Sequence, residues 1–174
     1  MKLACTMAPG RGDVDLVLQR LAVDLAARGI RCCGTVQINS QPGDAAGPCD
    51  MDVRVLPEGP VLRISQSLGR EARGCRLDPA ALETAVGLVE ERLRSGADVL
   101  IVNKFGKHEA EGRGFRNVIA EAVSMDVPVL VGLNALNRDA FEAFSGGMAT
   151  DLRSNVRELE EWVQRNTMLE FQET

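Results

Sequence analysis

"VLIVNKFGKHEAEGRGFR", residues 99–116, begins as a strand and turns into a polar loop. Val99 to Val102 form the continuous apolar run that a parallel strand covered on both faces requires. The loop then brings Lys104 and Lys107, the chain's only histidine (His108), Glu109 and Glu111, spaced by Gly106, Gly112 and Gly114. Beyond it, Phe115, Val118, Ile119, Ala122 and Val123 fall on one helical stripe. Strand, glycine-bearing loop and helix in this order make part of a βαβ unit, so the fold turns on whether the unit recurs.

It recurs along the chain. "KLACTM" (2–7) is an apolar strand, "APGRG" (8–12) a glycine loop, and Val14, Val17, Leu18, Leu21, Ala22 and Leu25 keep helical spacing up to Gly29. "RCCGTVQI" (31–38) is a second strand, followed by the Gly/Pro-rich stretch 39–49, longer than a tight turn. "DMDVRVL", "PEG" and "PVLRIS" (50–65) alternate around a turn as a β-hairpin does. Asp78 as N-cap, Pro79 at the first helical position and Leu77 placed to staple against Leu82 start a helix whose buried face is Leu82, Ala85, Val86, Val89 and Leu93. "VPVLVGLN" (127–134) is a fourth strand of the parallel type, "RDAFEAF" (138–144) a short helix ending at Gly146-Gly147, and 153–165 a closing amphipathic helix. The expectation is a single α/β domain over 1–174, a three-layer sandwich with a mostly parallel sheet and one β-hairpin insertion.

Composition narrows the partners. A net charge of −5 and a pI of about 5.0 offer no global basic field, which sets nucleic acid aside. Five cysteines, an odd number without a CxxC spacing, argue against a disulfide framework and for a reducing, cytoplasmic setting. No apolar run approaches the roughly 20 residues of a membrane span, so no membrane partner is expected.

In a parallel sheet ligands bind beyond the carboxyl ends of the strands. That rule gathers 8–12, 39–49, 103–114 and "NALN" (134–137) on one edge. Strand, glycine loop and helix at 2–25 have the order of a phosphate-binding loop, yet on the pattern GxxxxGK[ST] the segment "MAPGRGDV" puts Met7 at the first glycine, Gly12 at the second, Asp13 at the lysine and Val14 at the Ser/Thr. Asp13 repels a triphosphate unless it is protonated or bridged by a cation, and otherwise reads as an N-cap or first-turn carboxylate. Arg11 is the loop's own cation. At the end of the third strand, where such proteins carry an acid, stand Asn103 and Lys104; either Lys104 faces the ligand or it pairs with Asp13.

The loop 103–114 thus holds a group of cations, Lys104, Lys107 and Arg113, that favours an anion, and His108, with Glu109 as partner, is the candidate proton shuttle. The glutamates read either as a solvated face or as holders of a divalent cation. Asn134 and Asn137 are placed to read a nucleobase or an oxyanion, and for Asn137 the alternative is to cap the next helix. Cys49, Asp50, Asp52 and Cys75 could together form a thiolate and carboxylate site, the alternative being that the cysteines are buried small hydrophobes. No metal site is assigned.

"CDMDVRVLPEGPVLRISQSL" (49–68), "RGCRLD" (73–78), "VNKFGKHEAEGRGFR" (102–116) and "VPVLVGLNALN" (127–137) together resemble the bacterial family known as domain of unknown function 2478, over nearly the whole chain. More distantly, the strand followed by "FGKHE" is similar to the strand followed by "IGKME" of small P-loop nucleoside triphosphatases. The resemblance implies a P-loop-like fold and an association with molybdenum uptake, while Asp13, Val14, Asn103 and Lys104 depart from the triphosphatases at their catalytic positions. The sequence therefore leads to a nucleotide- or phosphate-binding protein with a degenerate P-loop, as an enzyme a divergent nucleoside triphosphatase, with magnesium if nucleotide binds. A non-enzymatic oxyanion sensor related to molybdate, or an interaction scaffold in which Asp13 and Lys104 have closed the site, are the alternatives. The ligand residues expected are Arg11, Gly12, Asp13, Asn103, Lys104, Lys107, Arg113, Asn134 and Asn137, with His108 or Glu109 orienting water in a hydrolase.

Overall fold

The computed structural model describes residues 1–40, 50–67 and 76–167. Its sheet is built from β1 (Leu3–Met7), β2 (Cys32–Ser40), β3 (Asp50–Val55), β4 (Val61–Arg63), β5 (Val99–Phe105), β6 (Val129–Leu133) and β7 (Thr150–Arg153). The order across the sheet is β4-β3-β2-β5-β6-β1-β7. All neighbours from β2 to β7 are parallel, and the antiparallel partners are β3 and β4, the expected hairpin, laid onto β2.

Each parallel strand alternates between two cores. Leu100 and Val102 of β5 point to a layer formed by α2 (Pro79–Arg94), α4 (Arg116–Ser124) and α5 (Arg138–Ser145), while Val99 and Ile101 point to α1 (Asp13–Ala27) and α6 (Val156–Thr167). This is why the strands read as unbroken apolar runs: both faces are covered. α1 buries Leu18, Leu21, Ala22 and Leu25, each large side chain contributing on the order of 2 kcal/mol on leaving water. α2 starts as its sequence dictates, with Asp78 Oδ1 accepting from Ala80 N (3.0 Å) and Ala81 N (3.2 Å), and it buries the five residues expected.

Two elements differ from the expectation. β7 was not foreseen, and the closing helix begins at Val156 rather than 153, because residues 150–153 pair in register with β1 as a short edge strand. The third strand of the sequence, β5, is not adjacent to β1, since β6 lies between them. Cys5, Cys32 and Cys33 are buried, whereas Cys49, Cys75 and most of the stretch 39–49 lie outside the described residues. No helix among the described residues is long and apolar enough to cross a membrane.

Candidate functional site

The parallel strands carry the loops 8–12, 106–115 and 134–137 out on one edge of the sheet. The first of them bends β1 directly into α1. Gly12 takes a left-handed conformation (φ 82°, ψ −4°) that an L-residue with a side chain rarely adopts, and it caps the helix with no side-chain hydrogen bond. Asp13 is therefore not the N-cap but the first helical residue. Its backbone N–H donates to Gly10 O (3.3 Å), and its carboxylate folds back over Gly10, where an added Cβ would stand 1.9 Å from Oδ2. The exposed Arg11 projects from the same loop.

The pair Asp13–Lys104 does not form among the described residues. With β6 between their strands, the two chain segments are separated by two strand spacings, about 10 Å. Lys104 is exposed at the end of β5, where the pairing register with β6 shifts between Val102 and Phe105. The irregularity is matched on β6 by Gly132, whose missing Cβ would lie 2.0 Å from Asn103 O.

Asn103, expected at the ligand, is buried and its amide is engaged within the protein. Oδ1 accepts from Gln37 N (2.9 Å) on β2, and Nδ2 donates to Asp15 Oδ1 (2.8 Å) in the first turn of α1. One side chain so ties the ends of three elements together.

The loop after β5 winds into a four-residue helix, α3 (Lys107–Ala110). Glu109 is 3% exposed, and its carboxylate accepts from Gly106 N (2.9 Å) on one oxygen and Phe115 N (3.1 Å) on the other. The charge that could have oriented water thus organises the loop instead, satisfying N–H groups at both of its ends. Arg116 continues the brace: it donates to Glu109 O (3.2 Å) and stacks over the Phe144 ring at 4.7 Å. His108 is half-buried and its carbonyl accepts from Arg113 N (2.8 Å). Lys107 and Arg113 both approach Glu111, whose carboxyl is held below its ordinary range chiefly by the Arg113 hydrogen bond. After β6, Asn134 caps the short turn 135–137, its Oδ1 accepting from Asn137 N (3.1 Å) and Asn137 Nδ2 (2.8 Å), while Asn137 stands at the N-cap of α5 without a side-chain cap hydrogen bond, so the two amides are paired with each other.

Open space lies on the other side of loop 8–12, toward β7. A cleft of about 600 Å³ has apolar walls from Met7, Ala8, Pro9, Leu16 and Val17. Asp13, Arg153 and Ser154 are its polar lining. Neither Asp13 nor Arg153 makes a side-chain ion pair among the described residues, and the Ser154 hydroxyl oxygen is buried without a hydrogen-bond partner. Arg153 and Ser154 escaped the sequence reading because they follow from the unforeseen β7; an isolated Arg-Ser pair carries no local signal. Among the described residues, no group of three or more His, Cys, Asp or Glu is placed to hold a metal ion.

Two comparisons bear on this arrangement. The fold is similar to the solution structure of a human cancer-related nucleoside triphosphatase, with a TM-score of 0.63, 14% identity and full coverage of both chains. In sequence, the chain is 32% identical over 163 residues to the molybdenum import ATP-binding protein ModC 2 of Bradyrhizobium diazoefficiens; the match takes in 92% of this chain and spans 18% of the length of that relative. Residues 3–162 match the model of the family described as "Protein of unknown function (DUF2478)", and the chain belongs to that family.

Proposed function

We propose that this protein binds a nucleotide at the carboxyl edge of its parallel sheet, around loop 8–12, and that binding rather than rapid hydrolysis is its role. The observation that carries the reading is the glycine loop turned into α1 by left-handed Gly12, bordering a cleft of about 600 Å³, a volume suited to a small molecule. Arg11 on the loop and Arg153 beside it, neither in an ion pair among the described residues, supply attraction for phosphate in an otherwise acidic chain. Support comes also from the fold shared with a nucleoside triphosphatase and from relationship to part of an ATP-binding protein.

The case against fast turnover is chemical. Val14 offers no hydroxyl to a magnesium ion, Asn103 is spent on Gln37 and Asp15, and Glu109 is spent on the backbone. If hydrolysis occurs, His108 is the candidate base left in the loop after β5.

The test is the thermal midpoint of the protein with ATP, GTP, AMP or GMP, with and without magnesium. Ligand at a hundredfold excess over Kd raises stability by about 2.7 kcal/mol. A rise with at least one nucleotide is expected, and no rise with any of them would overturn the reading. The relative's name favours one second reading, an oxyanion sensor or accessory protein for molybdenum. A midpoint that rises with molybdate and with no nucleotide would select it.

A further inference from the structure

The cleft between loop 8–12 and the end of β7 combines groups of three kinds that usually neutralise one another in a protein surface. Asp13 and Arg153 both line it and neither is in an ion pair among the described residues. Ser154 contributes a buried hydroxyl oxygen with no hydrogen-bond partner. The remaining wall, Met7, Pro9 and Leu16 among others, is apolar, and Leu16 is 65% exposed despite being a leucine. A ligand that satisfies all of this has a flat apolar body, an anionic end and a neutral donor pair.

From these juxtaposed groups we infer that the cleft is a site for a ribonucleoside monophosphate, with the phosphate on Arg153, the ribose hydroxyls donating to the Asp13 carboxylate, and the base against the Met7, Pro9 and Leu16 wall. This rests on the nucleotide reading proposed above and narrows it. A carboxylate accepts from two neighbouring hydroxyls without a charge penalty. A guanidinium fork matches a phosphate dianion. The same Asp13 disfavours a triphosphate, which brings roughly twice the negative charge of a monophosphate into the cleft. Lys104, to which the sequence assigned the ligand, stands two strands away on the far side of loop 8–12 and takes no part.

The experiment is calorimetric titration of the full chain with AMP, GMP, their 2′-deoxy forms, ATP and pyrophosphate. Wild type is compared with Arg153→Ala, Asp13→Asn and Lys104→Ala, all at exposed positions whose folding is checked by thermal midpoint. AMP or GMP is expected to bind more tightly than ATP or pyrophosphate. Arg153→Ala should weaken it about tenfold or more. The ribose form should be preferred over the deoxy form in wild type and not in Asp13→Asn, and Lys104→Ala should leave affinity within about twofold. Binding of ATP or pyrophosphate ahead of both monophosphates, or indifference to Arg153→Ala, would overturn the inference while leaving nucleotide binding standing. The same holds for a loss of affinity in Lys104→Ala alone. No binding of any nucleotide would overturn both.

Discussion

Replacing Glu109 by alanine separates a structural carboxylate from a catalytic one. Two backbone donors, Gly106 N and Phe115 N, end on its oxygens at 2.9 and 3.1 Å, and the side chain is 3% exposed. Hydrogen bonds to a charged acceptor are worth about 1.5 kcal/mol or more each, and stranding the buried donors adds a desolvation penalty. Glu109→Ala should therefore cost roughly 3 to 5 kcal/mol, lowering the thermal midpoint by roughly 10 °C in a chain of this size. Glu109→Gln keeps one carbonyl acceptor and turns an amide N–H toward the other donor, so it should lose about half as much. Urea unfolding followed by circular dichroism measures both. A second perturbation reaches the same contact from the other side: a Cβ at Gly114, whose φ is +59°, would lie 2.2 Å from Glu109 Oε1. Gly114→Ala should thus be less harmful in the Glu109→Ala background than in wild type, the remaining cost being backbone strain. If Glu109→Ala shifts stability by less than about 0.5 kcal/mol, the structural assignment is wrong and a role in chemistry regains its place.

Asn103→Asp restores an acid at the end of β5 but sets it against Asp15, whose Oδ1 lies 2.8 Å from the present amide nitrogen; a loss of about 2 to 4 kcal/mol in urea unfolding is expected, and a neutral result would contradict the tie between β5 and α1. Burial pushes the Cys5 thiol up to about 11 and those of Cys32 and Cys33 up to about 12, so these three should resist maleimide in the native protein and react in urea, as read by peptide mapping. Because the folded values lie above the ordinary 9.0, these thiols contribute stability below pH 9.0 that declines as pH rises beyond it, when the unfolded chain ionises first. At the acid end, the hydrogen bond from Arg31 holds the Asp98 carboxyl below its ordinary 3.8; its contribution is present above 3.8 and lost as pH falls through the lower folded value. Unfolding midpoints of wild type and Asp98→Asn should converge below that pH, and parallel curves would refute the assignment.

The sequence made the layered fold legible wherever a signal is local. Asp78, Pro79 and the five buried residues of α2 carry their own instructions in capping chemistry and spacing, and the apolar runs of β5 and β6 announce strands covered on both faces. β7 carried no such instruction, because only Leu152 of its four residues is buried and an edge strand that short has no period to detect. The site was half legible for the same reason. Loop 8–12 stands at the edge expected of it, but the roles of its neighbours depend on pairings across the chain. Asn103 meets Asp15 from 88 residues away, and the position of β6 between β1 and β5 keeps Lys104 from Asp13. Residue type suggested ligand chemistry for Asn103 and Glu109, while their partners, invisible to any window of sequence, commit Glu109 to the backbone and Asn103 to Gln37 N and the Asp15 carboxylate.

β7 pairs with β1 alone, and it supplies Arg153 and leads into Ser154. One wall of the cleft consequently hangs on a single ladder of hydrogen bonds, whereas the opposite wall is loop 8–12 and the first turns of α1. In a hydrogen-exchange experiment the amides of residues 150–153 should open well below the free energy of global unfolding, ahead of those of β5 and β6. A ligand seated in the cleft would slow that local opening more than any other in the molecule, so the first sign of binding would be kinetic quiet at this margin of the sheet.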